Sequence, residues 1–369
     1  MAGIYIHIPF CKSRCVYCDF FSSTHHALAD AYVDALLAER ALRWDELRGE
    51  AVHTLYLGGG TPSQLTADQL ARLLTALRLP GLQEITVEVN PDDVTAALAS
   101  LLVQLGVSRV SMGVQSFVDS ELRFMRRRHT SAQALRAVDL LRHAGVTNVS
   151  IDMIYGVPGQ TLTSWAESVD QALGLDVQHL SAYNLTYEEN TPLTAMWRRH
   201  EFTPVNDDDC VAMYGLLRDR LSRAGYEHYE ISNFARRGYR SRHNSSYWDG
   251  TPYLGLGVAA HSYDGEVRRS NPRDLSGYIR ALADGRTVFA EERLTEQERY
   301  DEMVMLGLRT AHGVDVDGMR ALHPKYLSHF LSAAAPHLRH GNLRNEGSRY
   351  ILTPRAVMLS DSVISDLFW

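Results

Sequence analysis

Three cysteines stand within eight residues near the start of the chain, Cys11, Cys15 and Cys18, in a C-x3-C-x2-C arrangement. Thiols so spaced on one loop can converge on a single inorganic centre. Only one other cysteine exists, Cys210, and it lies far along the sequence. A closed zinc site or a four-thiolate electron-transfer cluster would normally show its fourth ligand nearby. Two chemistries stay open. Three thiolates on a four-iron cluster leave one iron free for a further group. Alternatively His7 completes a zinc site, although it falls inside an expected strand with its side chain wrongly directed.

The elements that must position this loop read as strand, loop and helix repeated. Apolar, β-prone runs at 3–8, 53–57, 85–89, 108–112, 148–154 and 179–183 alternate with helical periodicity around 32–37, 67–77, 94–105, 132–144 and 164–172. Six such βα units predict a parallel sheet, and the expected fold class is α/β, a partial (β/α)6 TIM-like barrel. The chemistry-bearing segments all fall where strands end. The cysteine loop follows the first strand and Gly58-Gly59-Gly60-Thr61-Pro62 the second; Glu88-Val89-Asn90-Pro91, Gly113-Val114-Gln115-Ser116 and Asp152-Met153-Ile154-Tyr155-Gly156 end the third to fifth, and Tyr183-Asn184 ends the sixth. In a βα barrel those ends form one rim, where active sites are built. Beyond residue 186 the rhythm changes. Strands are expected at 227–232 and 256–262, a polar, aromatic-studded loop at 236–250, a helix at 296–308 and a strand at 350–353. The domains expected are 1–230, the barrel with its rim site; 231–290, a barrel extension; and 291–369, a small mixed, mainly helical C-terminal domain.

Taken singly, these residues have plain readings. The glycine run could mark a tight turn, since it lacks the lysine of a P-loop and the spacing of a dinucleotide fingerprint. Glu88, Gln115 and Asp152 could each be ordinary strand residues. Cys210, after three aspartates, reads as a structural thiol near a helix start. The net charge of −7 gives no footprint for nucleic acid, and Arg126-Arg127-Arg128 is too short to change that. No apolar run approaches the roughly 18 residues of a membrane span, and no leader precedes the first strand. Few cysteines, three of them clustered, fit a reducing compartment, and a cytoplasmic location is expected.

Together the motifs resemble the radical S-adenosylmethionine (SAM) superfamily, and within it the oxygen-independent coproporphyrinogen-III-oxidase-like family. The stretches that carry the resemblance are Ile4-Tyr5-Ile6-His7-Ile8-Pro9-Phe10-Cys11, the cysteine run with Phe20, Gly59-Gly60-Thr61-Pro62, Glu88-Val89-Asn90-Pro91, Gly113-Val114-Gln115-Ser116-Phe117 and Asp152-Met153-Ile154-Tyr155-Gly156-Val157-Pro158-Gly159-Gln160. The resemblance implies that Cys11, Cys15 and Cys18 hold a [4Fe–4S] cluster whose fourth iron is chelated by SAM, so that a 5′-deoxyadenosyl radical can form. It also implies SAM contacts from Tyr5, Tyr17, Gly59, Gly60, Thr61, Glu88, Gln115, Arg127 and Asp152. One departure is Arg126, where the family usually has glycine.

Two subgroups of that family differ just past the cysteines. The decarboxylating oxidases carry a further cysteine two residues after the third; here that position is Phe20. The subgroup of HemW-type heme chaperones lacks it and carries His-Asn-x-x-Tyr-Trp, seen here as His243-Asn244-Ser245-Ser246-Tyr247-Trp248. That resemblance implies heme contacts from His243, Tyr247 and Trp248, with His243 as an axial ligand. Ser241 stands where many relatives have cysteine, which counts against a thioether link. The expected function is a heme chaperone serving a heme-accepting protein and an electron donor. The alternatives are the oxidase itself, which Phe20 disfavours, and a radical SAM enzyme acting on another substrate.

Overall fold

The computed structural model describes residues 1–369. Its centre is a run of six parallel strands paired in sequence order: β1 (Ala2–Ile8), β2 (Val52–Gly59), β3 (Glu84–Val89), β4 (Arg109–Gln115), β5 (Val149–Tyr155) and β6 (His179–Asn184). The helices between them are α1 (Ala29–Arg43), α2 (Ala67–Ala76), α3 (Ala96–Gln104), α4 (Asp119–Phe124), α5 (Ser131–Ala144) and α6 (Leu162–Gly174). Capping boxes start α2 (Thr66 with Gln69), α5 (Thr130 with Gln133) and α6 (Thr161 with Ser164), each satisfying orphan N–H donors of the first turn.

The strands alternate in polarity. Ile4, Ile6 and Ile8, Leu55 and Leu57, Val87 and Val89, Val110 and Met112, and Val149, Ile151 and Met153 join the helices in one large core. The opposite parity is polar: Tyr5 and His7, Thr54 and Tyr56, Thr86 and Glu88, Arg109 and Ser111, Ser150 and Asp152, His179 and Ser181. Register places these residues side by side across the sheet. A sheet with one apolar and one polar face must line something wet with the second. Here the polar face is the lumen of an open barrel, curled enough that Arg109 of β4 reaches His179 of β6 at 3.4 Å.

After β6 come α7 (Pro192–Arg198), α8 (Asp207–Arg223), β7 (Glu227–Glu230) and β8 (Asn233–Ala235). The last two extend the sheet beyond β6 in the order β6-β8-β7. Cys210 is buried in the first turns of α8, which Asn206 caps. The chain then forms α9 (Arg242–Trp248) and returns to the far side of the barrel as β9 (Tyr253–Leu256), parallel to β1, followed by the antiparallel β10 (His261–Tyr263), β11 (Val267–Ser270) and β12 (Ala290–Arg293). Between β11 and β12 lies α10 (Leu275–Ala283). The return is tied to α1 by a buried network. Arg43 donates to Glu39 at 2.7 Å, Asn271 at 3.2 Å and Ser262 at 3.0 Å, and Tyr278 donates to Glu39 at 2.6 Å.

Two expectations are corrected here. The strand expected at 256–262 is two strands broken by a turn, because Gly257 has φ +102° and Ala259 φ +58°. The loop expected at 236–250 contains α9. Its Ser241 side chain caps the helix, and Glu84 accepts from the N–H groups of Arg242 and His243, both at 3.0 Å. The C-terminal part has its own core, centred on Tyr300, Val304, Phe330 and Leu367. It packs α11 (Glu296–Leu308), α12 (Val316–Leu322) and α13 (Pro324–Arg339) on a small sheet ordered β13 (Val314–Asp315), β15 (Arg349–Leu352), β14 (Leu343–Glu346).

Candidate functional site at the barrel rim

The cysteine loop is pinned at both ends. Cys11 N–H donates to Ser23 at 3.0 Å, and Leu193 N–H donates to the Val16 carbonyl at 2.9 Å. Val16 sinks into a small apolar cluster with Leu122, Met125, Ile154 and Leu193, from β5 and from the segments that follow β4 and β6. With Val16 anchored, the three cysteines stay half-buried at the rim while Lys12, Ser13 and Arg14 face solvent.

Two of the thiols have a hydrogen-bonding neighbour on the next segments. Cys11 Sγ lies 3.4 Å from Thr61 Oγ1, which accepts from Asn90 Nδ2 at 3.2 Å. Arg127 donates to Cys15 Sγ at 3.5 Å, to Asn90 Oδ1 at 2.7 Å and to the Gly113 carbonyl at 2.6 Å. The rim therefore brings Cys11, Cys15, Cys18, Thr61, Asn90, Gly113 and Arg127 together from five segments. Tyr17, beside Cys15, has its phenol pushed up, by burial first. The Arg126-Arg127-Arg128 run is split. Arg128 pairs with Asp92 at 2.8 Å, whereas Arg127 turns inward, which requires the left-handed turn at Arg126, φ +55°. That is the conformation glycine adopts without cost.

Two backbone features set this geometry. Gly59 has φ +103°, and a Cβ there would stand 2.4 Å from His7 Nδ1. Gln115, at a bulge in β4, holds φ +67° without being glycine. Such outliers persist only where surrounding structure over-determines them, and they cluster at functional sites.

Deeper in the lumen, Glu88 accepts from Tyr56 Oη at 2.7 Å and from the Gly59 N–H at 3.1 Å. Burial pushes its carboxyl up to about 7, with Asp152 adding to the rise and the two hydrogen bonds opposing it. Asp152 is itself raised by burial, against bonds from Ser181 and Ser111. His7 is spent: its Nε2 donates to the Phe21 carbonyl at 2.8 Å and its Nδ1 meets Tyr5 Oη at 3.2 Å. It has no free nitrogen for a metal.

The residues present fit an iron–sulfur cluster. Burial raises the Cys11 thiol and pushes Cys18 up to about 11, so these thiols ionise on binding metal rather than before it. The Arg127 guanidinium supplies positive charge beside them, and its buried Nε has no protein acceptor.

His243 lies at the other end of the lumen. Fully buried, it places Nδ1 2.9 Å from Thr54 Oγ1 and Nε2 2.9 Å from Tyr247 Oη. The rings of Tyr56 and Tyr5 stack on it at 5.2 and 6.3 Å. Burial first, then Arg109, lowers its pKa to about 3. It is neither a surface histidine nor an open axial position: with α9 seated, His243 is the floor of the barrel. Trp248 lies under the Arg309 guanidinium at 5.3 Å.

Residues 5–172 match the radical SAM superfamily, and 294–359 match the HemN C-terminal domain. The heme chaperone HemW of Lactococcus lactis is 38% identical over 319 residues, 85% of this chain and 83% of the relative. HemW of Mycobacterium tuberculosis is 36% identical over 375 residues, 99% of this chain and 94% of the relative. The chain belongs to the HemW family. Among solved structures, the coproporphyrinogen III oxidase HemN of Escherichia coli superposes with a TM-score of 0.84 at 24% identity, covering 100% of this chain and 90% of that one; it shows the shared fold.

The sequence reading missed several residues of the lumen: Asn90 as the partner of Arg127, Tyr56 on Glu88, and Arg109, whose buried Nε and Nη1 have no partner. Strand parity could have found Tyr56 and Arg109, each two residues from a polar neighbour on its own strand, and Asn90 continues the parity of Glu88 one residue past β3.

Proposed function

We propose that the protein binds heme and passes it to an acceptor protein, with a [4Fe–4S] cluster on Cys11, Cys15 and Cys18 and SAM beside it. The observation that carries this is the similarity to proteins named heme chaperones along 85% and 99% of the chain. Phe20 supports it: the ring is 69% exposed at the position where the oxidases place a further cysteine. When bound, the cluster supplies an iron open to SAM and a route for one electron from a donor protein. Thr61, Gln115, Arg127 and the Gly59–Gly60 backbone would line SAM, with Glu88, Asp152 and Tyr5 below. Tyr17 would lie against the cluster side. Arg127 would hold the charge of the site while Gly113 leaves room beside it. No helix is long and apolar enough to cross a membrane, and a cytoplasmic acceptor suits the clustered cysteines.

His243, Tyr247 and Trp248 are proposed as heme contacts that become available when α9 unseats. The decisive experiment uses anaerobically reconstituted protein, scored for heme by its Soret band and for coproporphyrinogen III turnover with SAM and a reductant. About one heme per chain without turnover is expected. Sustained turnover would overturn the assignment in favour of an oxidase.

A further inference from the structure

One well-defined cleft has none of the four cysteines in its lining. It has a volume of about 510 Å³ and opens between the last strand of the barrel sheet, β7, and the C-terminal domain. That size suits one medium-sized organic ligand. One wall carries a stacked aromatic pair: the His228 ring lies 4.4 Å from the buried Phe234 ring and 16° from parallel to it. The facing wall is aliphatic, from Leu308, Ile351 and Val357. Arg218, Arg309 and Arg344 also line it, outnumbering the carboxylates Asp219 and Glu230; Arg218 pairs with Asp219 at 3.4 Å and Arg344 with Glu346 at 2.7 Å on the exposed side. An apolar slot with a flat aromatic wall and three guanidinium groups suits a planar, apolar molecule that carries carboxylates, since guanidinium binds carboxylate through paired N–H donors.

Arg309 links this cleft to the His243 motif. Its guanidinium covers the Trp248 ring, and both its Nε and the Trp248 Nε1 are buried donors without an acceptor. Neighbouring donors left without partners inside a protein are costly unless something accepts from them. The backbone at this point joins barrel to domain: Ile231 N–H donates to the Arg309 carbonyl at 3.0 Å, and Ala311 N–H donates to the Tyr229 carbonyl at 3.0 Å. A ligand in the cleft thus meets the backbone junction between barrel and C-terminal domain, and Arg309, whose guanidinium covers the last residue of α9.

We infer that this cleft is a docking site for a carboxylate-bearing tetrapyrrole, heme itself, used while α9 is seated and His243 closed. The inference rests on the heme-carrier assignment and adds the place where heme is held. The apolar ring lies between the stacked His228–Phe234 pair and Ile351, and the propionates meet Arg218, Arg309 and Arg344.

The test is a hemin titration of the full chain followed at the Soret band, on wild type and two independent variants. Ile351→Trp fills the slot; Arg218→Glu with Arg344→Glu reverses two of its cationic groups. Both variants, checked for native circular dichroism, are expected to bind hemin at least tenfold more weakly, and either one that folds suffices for the comparison. Wild-type affinity in the folded variants would overturn the cleft while leaving the heme-carrier assignment standing. Absence of hemin binding by wild type would remove both.

Discussion

Replacing His243 by phenylalanine tests whether the barrel floor is closed. The perturbation keeps an aromatic ring between Tyr5 and Tyr56 but removes both ring nitrogens, so Thr54 Oγ1 and Tyr247 Oη lose the partners they hold at 2.9 Å. Two hydrogen bonds lost in a dry site amount to about 3 kcal/mol at pH 7. The second half of the prediction is a pH dependence. His243 titrates at about 3 when folded, against 6.5 for an ordinary imidazole. The unfolded chain therefore binds the extra proton first, and the stability this residue contributes, fully present above 6.5, is lost as pH falls toward 3. Between pH 7 and pH 5 the shift is worth roughly 1.4 pK units, or about 2 kcal/mol. The variant has no proton to gain there, so the stability gap between wild type and variant should narrow from about 3 to about 1 kcal/mol. Urea unfolding of both proteins at the two pH values measures it. Taking the difference cancels the other buried groups, including Glu88 and Glu230, whose carboxyls burial pushes up to about 7 and whose contributions run the opposite way. A gap that stays constant to within about 0.5 kcal/mol would mean that His243 titrates normally and that α9 does not close the lumen.

Gly113→Ala would place a Cβ 2.8 Å from Gln115 Nε2 and 3.2 Å from Arg127 Nη2; it should weaken SAM binding by the reconstituted protein about tenfold, read by calorimetry, while leaving thermal stability within about 1 kcal/mol. Arg43→Met leaves Glu39 buried with its main cation gone and should cost about 3–5 kcal/mol in urea unfolding; a loss below 1 kcal/mol would show that Tyr278, Asn271 and the Gly257 N–H already satisfy that carboxylate.

The barrel was legible because each of its strands is a short β-prone run followed by a helical period, and the rim because cysteine, glycine and carboxylate motifs fell at successive strand ends. Local pattern stopped working where structure depends on distant partners. Helix α9, rich in serine and asparagine, has no apolar stripe, and its first N–H groups are satisfied by Glu84 from a strand some 160 residues earlier. The 256–262 segment looked like one strand because its apolar content is continuous, yet Gly257 packs so close to Tyr32 Oη that a Cβ would stand 2.4 Å away. Only the start of helix α8 was legible, because its three leading aspartates favour a helix start through the dipole but dilute its apolar pattern. For the site, residue type and spacing pointed to the cluster loop, and the family resemblance pointed to Arg127. The closed position of His243 could not be read that way, because it comes from Thr54, Tyr5 and Tyr56 on two other strands.

The pairing of β1 with β9 sets an order of events at the ribosome. Strand β1 finds β2 once residue 59 has emerged, but its other edge waits for Tyr253–Leu256, about 250 residues after the first strand. At synthesis rates of roughly 5–20 residues per second, that edge stays unpaired for on the order of 10–50 s. Throughout that interval the cysteine loop hangs from a strand secured on one side, with α9 not yet made and the floor open. The nascent barrel is then at its most accessible, to delivery of iron and sulfide and also to unwanted strand pairing, until the last parallel strand arrives.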